Sequence, residues 1–432
     1  MTTIELGEID SSPGHQPADG LDRRLIRNLA LAVTLLFTLA GVTASARPAP
    51  DALRLLWRVP MSEADAVLLG PDAVYINRIV AGTSHLTGYD LATGAVRWET
   101  LTDHTTGTVD LNEPAGRLLM GADRQAGGVN GVFVEFHRST VAVDARTGRE
   151  VWTVPGQVLT ADGHTALMGD FSDRGEIIRL RLLRLADGVV VWRRETAALH
   201  TFAPAADRIV TATVTGRVEV LRRTDGAVLR SGQVRWVVPK PEDNQFDDVT
   251  VEGDHLVVSR RWAERGATSV YRLDTLAEQW QIEYSGYTFA CGTLLCVHDQ
   301  TTMTAYDLAT GELRWERPVA GNIWAAAPDR LVLDADDGTG LILLDVRTGA
   351  PIGGRVRGGT TVWTTDRTDD LYLLTPTTAP PNRTAVARLD LVTGRRHLLG
   401  TTDMLAGYRC WLTGHYLACN RDHHLEITAV GR

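Results

Sequence analysis

The segment AYDLATGELRW at 305–315 constrains this chain more than any other feature, because its frame recurs: GYDLATGAVRW stands at 88–98 and AVDARTGREVW at 142–152. In each copy an alternating segment ends at an Asp (Asp90, Asp144, Asp307), a Thr-Gly pair follows, and a Trp stands four residues beyond the Gly. The pattern predicts one hairpin per copy. The Asp carboxylate accepts hydrogen bonds from the backbone N–H groups just beyond it and fixes a tight turn. The Gly (Gly94, Gly148, Gly311) supplies the positive φ that the loop requires. The returning strand then delivers an aromatic plug, Trp98, Trp152 or Trp315.

Weaker copies keep the same frame: LRLADGVVVW at 183–192, LRRTDGAVL at 221–229, YRLDTLAEQW at 271–280, LDVRTGAPI at 344–352 and LDLVTGRRH at 389–397. The frame A-x-D-x-x-T-G-x-x-x-W resembles the tryptophan-docking motif of quinoprotein-type, PQQ-like β-propellers. Ala305, Asp307, Thr310, Gly311 and Trp315 match it fully, as do Ala142, Asp144, Thr147, Gly148 and Trp152, whereas the first copy has Gly88 in place of Ala. The resemblance implies that the Trp of one blade packs on the neighbouring blade, at Trp98, Trp152, Trp192, Trp280 and Trp315. Trp57, in LRLLWRVP at 53–60, stands in the same docking place without a hairpin before it. The likeness covers nearly all of the chain after residue 50 and specifies a fold rather than an activity.

Short alternating segments such as 53–59, 73–79, 208–214, 255–258 and 341–344, separated by Gly, Asp and Pro, predict an all-β chain. With a Gly/aromatic motif in each unit, they favour a propeller of four-stranded antiparallel blades. Motif glycines at 94, 148, 188, 226, 311, 349 and 394, with a degenerate copy around Leu276, mark eight blades. The strand-rich piece 404–430 brings a literal count of nine, kept as the alternative. That piece offers three strands, so the stretch 53–59 is expected to supply the fourth and close the ring over 53–432, covering edges that would otherwise invite aggregation. Insertions fall around 121–131, 239–248 and 376–384, where binding loops are expected.

The first fifty residues differ in kind. Residues 1–24 read as a disordered cytoplasmic tail. Arg23, Arg24 and Arg27 precede a charge-free run at 29–46, and the segment 25–46 reads as one transmembrane helix that leaves the propeller outside the cytoplasm. Ala44-Ser45-Ala46 resembles a signal-peptidase site, so secretion after cleavage near Ala46 is the alternative. Residues 47–52 are a short, Pro-containing linker.

Composition narrows the chemistry. Lys240 is the only lysine, which excludes a P-loop or Schiff-base lysine, and the net charge of −9 comes with no basic stripe of the kind that binds nucleic acid. Four cysteines suit an exported domain: Cys291 with Cys296 and Cys410 with Cys419 each flank one hairpin and are predicted to pair, with free buried thiols or another connectivity as alternatives. Quinone-dependent relatives of this fold would require an adjacent Cys-Cys pair and a calcium-holding carboxylate and amide set. No Cys-Cys occurs, so no cofactor is expected.

Other candidate sites read as structural. Asp334, Asp336 and Asp337 lack an oxygen ligand where Gly338 stands, and His423 and His424 are adjacent on a strand and point apart. The acidic loop with Glu242, Asp243, Asp247 and Asp248 is the candidate contact patch. The reading is therefore a non-enzymatic, extracytoplasmic protein-interaction scaffold at the cell envelope, similar to non-enzymatic BamB-type propellers, with a membrane-proximal envelope protein as its partner. A membrane-tethered ligand sensor is the rival, and a quinone-dependent dehydrogenase the remaining alternative.

Overall fold

The computed structural model describes residues 27–29, 31–34 and 53–431, apart from 81–82, 103–105, 113–114, 130–131, 237–245, 263–264, 285, 300, 320–322, 328, 335–339, 358, 365–369 and 406–409. The chain divides into two units, Met1–Ala49 and Pro50–Arg432. In the first, 27–29 and 31–34 are helical. Among the described residues no helix is long and apolar enough to cross a membrane, and most of the expected span 25–46 lies outside them.

The second unit is an all-β propeller. Its strands are short and antiparallel, and they alternate because each blade face packs on a neighbour. Each interface carries its own apolar cluster, such as Leu86, Trp98, Leu118, Met120 and Val141 between the first two blades. Strands expected from the sequence stand where they were placed: Leu53–Pro60, Ala73–Val80, Arg208–Thr213, His255–Trp262 and Gly340–Asp345.

The expectation of eight or nine uniform four-stranded blades needs correction. Six sheets are four-stranded, and the other strands form one seven-stranded and one five-stranded sheet. The seven-stranded sheet arises because the strand Val190–Pro204 runs through two repeats, pairing Leu182 with Trp192 on one side and Phe202 with Thr211 on the other. No Gly or Pro interrupts it between Trp192 and Pro204, whereas the preceding repeat is broken at Pro155-Gly156.

The five-stranded sheet joins the two ends of the unit. Leu53–Pro60 pairs antiparallel with His424–Val430, Leu53 opposite Val430 and Trp57 opposite Ile427. Tyr416–Arg421 and Cys410–Thr413 follow, and Trp363–Thr364 adds a parallel pairing to Trp411 and Leu412. Both expected disulfides are present, Cys291–Cys296 and Cys410–Cys419.

Two of the three expected loop insertions are strand extensions. Residues 121–129 lengthen the Arg117–Val129 and Val132–Asp144 hairpin, which lies against the next blade: Phe136 stacks on Phe171 at 5.1 Å and Arg138 donates to the Phe171 carbonyl at 2.8 Å, while 130–131 lie outside the described residues. The stretch 376–384 is the end of the Asp370–Thr378 and Pro381–Asp390 hairpin. Of the third, residues 239–245 lie outside the described residues and 246–248 open the strand Phe246–Glu252.

Candidate functional site

The motif residues build two devices, a turn and a seam. In the turn, one Asp90 oxygen accepts from the Thr93 N–H (2.9 Å), the Thr93 hydroxyl (2.8 Å) and the Ala92 N–H (3.2 Å), while the Gly94 N–H returns to the Asp90 carbonyl (2.8 Å). Asp307 repeats this with Ala309 and Thr310. Hydrogen bonds from Arg97 and Thr93 pull the Asp90 carboxyl down to about 2, and Arg314 foremost holds Asp307 below the ordinary carboxylate range. Three weaker copies substitute an ion pair for this cap: Arg184 with Asp187, Arg222 with Asp225 and Arg272 with Asp274.

The seam joins each turn to the blade before it. The indole N–H of Trp57 donates to the Leu91 carbonyl at 2.9 Å, Trp98 to Ala145 at 3.0 Å, and Trp152 to Leu185 at 3.0 Å. Trp192 reaches Arg223 at 2.8 Å, Trp280 reaches Leu308 at 2.9 Å, and Trp315 reaches Val346 at 2.7 Å. In all six the acceptor is the residue after the Asp position of the next motif. The ring lies flat against the next motif glycine: a Cβ at Gly94, Gly148 or Gly311 would stand 2.6, 2.4 or 2.7 Å from Trp57, Trp98 or Trp280. These glycines, at φ of 72°, 71° and 73°, therefore serve both the turn and the close approach of the indole.

Two of the seams that carry a turn lack the indole. At the degenerate turn Leu276 takes the left-handed φ of 56°, and its side chain lies against Gly232; Arg230 stands in the plug position and donates from Nε to the Asp274 carbonyl at 2.7 Å. At Gly394 the plug position is Gly353, the two backbones meet, and Arg330 Nε supplies the donor to the Leu391 carbonyl at 3.0 Å. Nothing in the sequence frame marks these arginines, because each acts across a seam.

The predicted contact patch is not assembled as a patch among the described residues. Glu242 and Asp243 lie outside them, and Asp247 is placed only as backbone in the strand Phe246–Glu252. Asp248 caps the following amide, accepting from the Val249 N–H at 2.8 Å. His424 contacts the Asp422 carbonyl through Nδ1 at 2.8 Å, and among the described residues no group of three or more His, Cys, Asp or Glu is placed to hold a metal. Asp336 and Asp337 lie outside the described residues.

Sequence reasoning missed a cleft of about 510 Å³ beside the long strand Val190–Pro204. Its floor is set by strand register: Arg179 faces Glu195 and Arg181 faces Arg193 across the sheet, while Asp170 lies opposite Arg179 on the other side. Asp170 accepts from Arg179 (3.1 Å) and from Arg181, and the hydrogen bond to Glu195, followed by that to Asp170, raises the Arg179 guanidinium above its ordinary pKa. Each Asp170 oxygen is thereby engaged by a guanidinium.

The cleft lip is different. Val190 and Val191 are 44% and 52% exposed, and Arg193 has no side-chain bond among the described residues. From 190 to 198 the strand is paired only with Ile177–Arg184 among the described residues, which leave its other edge unpaired. The run of three valines before Trp192 was visible in the sequence, but in a repeat it reads as ordinary strand.

The family profile described as outer membrane protein assembly factor BamB matches residues 49–193 and 266–404, most of the propeller. The chain belongs to this BamB family of PQQ-like propellers. Solved structures similar to it include BamB from Moraxella catarrhalis, at 16% identity and a TM-score of 0.47, covering 75% of this chain and 97% of that one. A europium-containing methanol dehydrogenase aligns at 12% identity and a TM-score of 0.42, covering 88% and 94%. No curated protein matches the chain.

Proposed function

We propose that this BamB-family propeller is a non-enzymatic interaction scaffold, held at the outer side of the cell membrane by the 25–46 segment and binding an extended segment of an envelope protein. The observation that carries the reading is the lip of the cleft: an unpaired strand edge with exposed Val190 and Val191 beside the unbonded Arg193. A free edge accepts another strand through backbone hydrogen bonds, and alternate side chains give selectivity. Here the valines favour an apolar residue and Arg193 a carboxylate. The motif residues support the same reading, since their hydrogen-bonding capacity is taken up by turns and seams. Family membership raises the prior for assembly work in the envelope without fixing it.

A photoreactive residue at Val191, introduced into the full chain in its native membrane, tests the proposal. A discrete protein adduct that Arg193→Glu weakens is the expected result. Absence of any protein adduct, together with a small molecule retained in the ring's central channel, would favour the membrane-tethered sensor instead.

A further inference from the structure

One plug position has no turn to fill. Four residues after Gly394 stands Leu398, on the strand Arg396–Asp403, and the blade it faces is the closing sheet, whose outer hairpin is absent because the two ends of the unit meet there. In the register of that sheet Trp57 lies opposite Ile427 as Trp98 lies opposite Gly88, so Val430 corresponds to Leu91, the residue whose carbonyl receives an indole. Leu398 is 42% exposed, whereas Trp315 in the same position of its repeat is 9% exposed.

The strand of Leu398, the turn before it and the adjacent strand Leu53–Pro60 carry exposed aliphatic and basic residues. Val392 is 60% exposed, and Leu55, on the adjacent strand Leu53–Pro60, is 53% exposed. Arg54, Arg58 and Arg395 are exposed and carry no side-chain bond among the described residues. Many of this chain's other arginines are ion-paired, including Arg97, Arg117, Arg179 and Arg314, and the net charge is −9. Unpaired positive charge around exposed aliphatic side chains is the chemistry of a surface that meets anionic lipid headgroups.

We propose that this turnless stretch of rim, centred on Leu398, Leu55, Arg54, Arg58 and Arg395, rests on an anionic phospholipid surface and sets the tilt of the propeller on the membrane. The inference rests on the membrane reading of 25–46. Each basic residue near a charged bilayer adds a modest attraction that falls off within a Debye length, so the three arginines bias orientation without anchoring the chain by themselves.

The test reconstitutes the full chain into phosphatidylglycerol or phosphatidylcholine vesicles. Leu398→p-benzoylphenylalanine is irradiated beside Val228→p-benzoylphenylalanine, a rim position on another blade that is 40% exposed. The expected result is a lipid adduct at 398 about fivefold or more above that at 228. It should occur in phosphatidylglycerol only and be lost when Arg54→Glu, Arg58→Glu and Arg395→Glu are combined in a chain whose melting is unchanged. Equal adducts at the two positions, or an adduct indifferent to lipid charge, overturn the proposal. Carbonate extraction separates the two readings: a chain released by carbonate overturns the membrane reading and this inference with it, whereas a retained chain without lipid adducts at 398 overturns this inference alone.

Discussion

Six seams of this ring are closed by an indole laid on a glycine, and two by an arginine. The difference shows what the docking motif requires. An indole can lie flat only where the next turn carries no Cβ, and where Leu276 replaces the glycine, the plug is Arg230, which bonds one carbonyl farther on. Where both positions are glycine, at Gly353 and Gly394, backbone meets backbone and Arg330 crosses the seam for the donor. The indole seam combines a large apolar burial with a hydrogen bond. At the arginine seams the apolar clusters of the blades remain, and the arginine itself adds the hydrogen bond with little apolar burial of its own.

The comparison predicts unequal mutational costs. Trp315 is buried, bonded to Val346 and seated against Gly349, so Trp315→Ala should cost about 3–5 kcal/mol in chemical denaturation. A cost below about 1 kcal/mol would put that side chain outside the seam's energetics.

The turns give the next effect, through pH. The folded Asp90 carboxyl lies at about 2, below its ordinary 3.8, and Asp307 is depressed for the same kind of reason. A depressed carboxylate stabilises the fold above its unfolded pKa, and that stabilisation is lost as pH falls through the folded value. Stability should therefore decline between about pH 4 and pH 2, and Asp90→Asn should flatten part of the decline. A variant with an unchanged acid slope would show that the cap contributes nothing to it.

Arg230→Ala should have the smallest effect, about 1 kcal/mol, because Arg230 is exposed and its bond is largely replaced by water. If Arg230→Ala matched Trp315→Ala, the two kinds of seam would be energetically equivalent and the contrast would fail.

Much of this fold was legible because its devices are local. Asp, Thr and Gly act within one turn, and period-2 alternation marks the strands on either side. The plug position of Trp57 was legible too, since LRLLWRVP keeps the outer-strand pattern without its turn. What remained hidden acts across seams or depends on the absence of a breaker. Arg230 and Arg330 look like ordinary surface residues until their acceptors, on other repeats, are known. The strand Val190–Pro204 merges two repeats because nothing between them stops it, and the stretch 121–131 reads as a loop by its glycines although Gly127 packs against the backbone of Arg174 and Gly175. The cleft was hidden for a related reason: its arginines converge from two strands whose register is set by the bulge between Leu182 and Leu183.

The most direct measurement is a double-mutant cycle across one seam, Trp280→Ala with Gly311→Ala. Alone, Gly311→Ala places a Cβ 2.7 Å from the Trp280 ring and in a left-handed turn, two separate penalties. Once the indole is removed only the backbone penalty of about 1 kcal/mol should remain, giving a coupling of about 1–3 kcal/mol between the two sites. Strict additivity, with Gly311→Ala costing the same in both backgrounds, would contradict the account that indole-on-glycine docking holds the blades together.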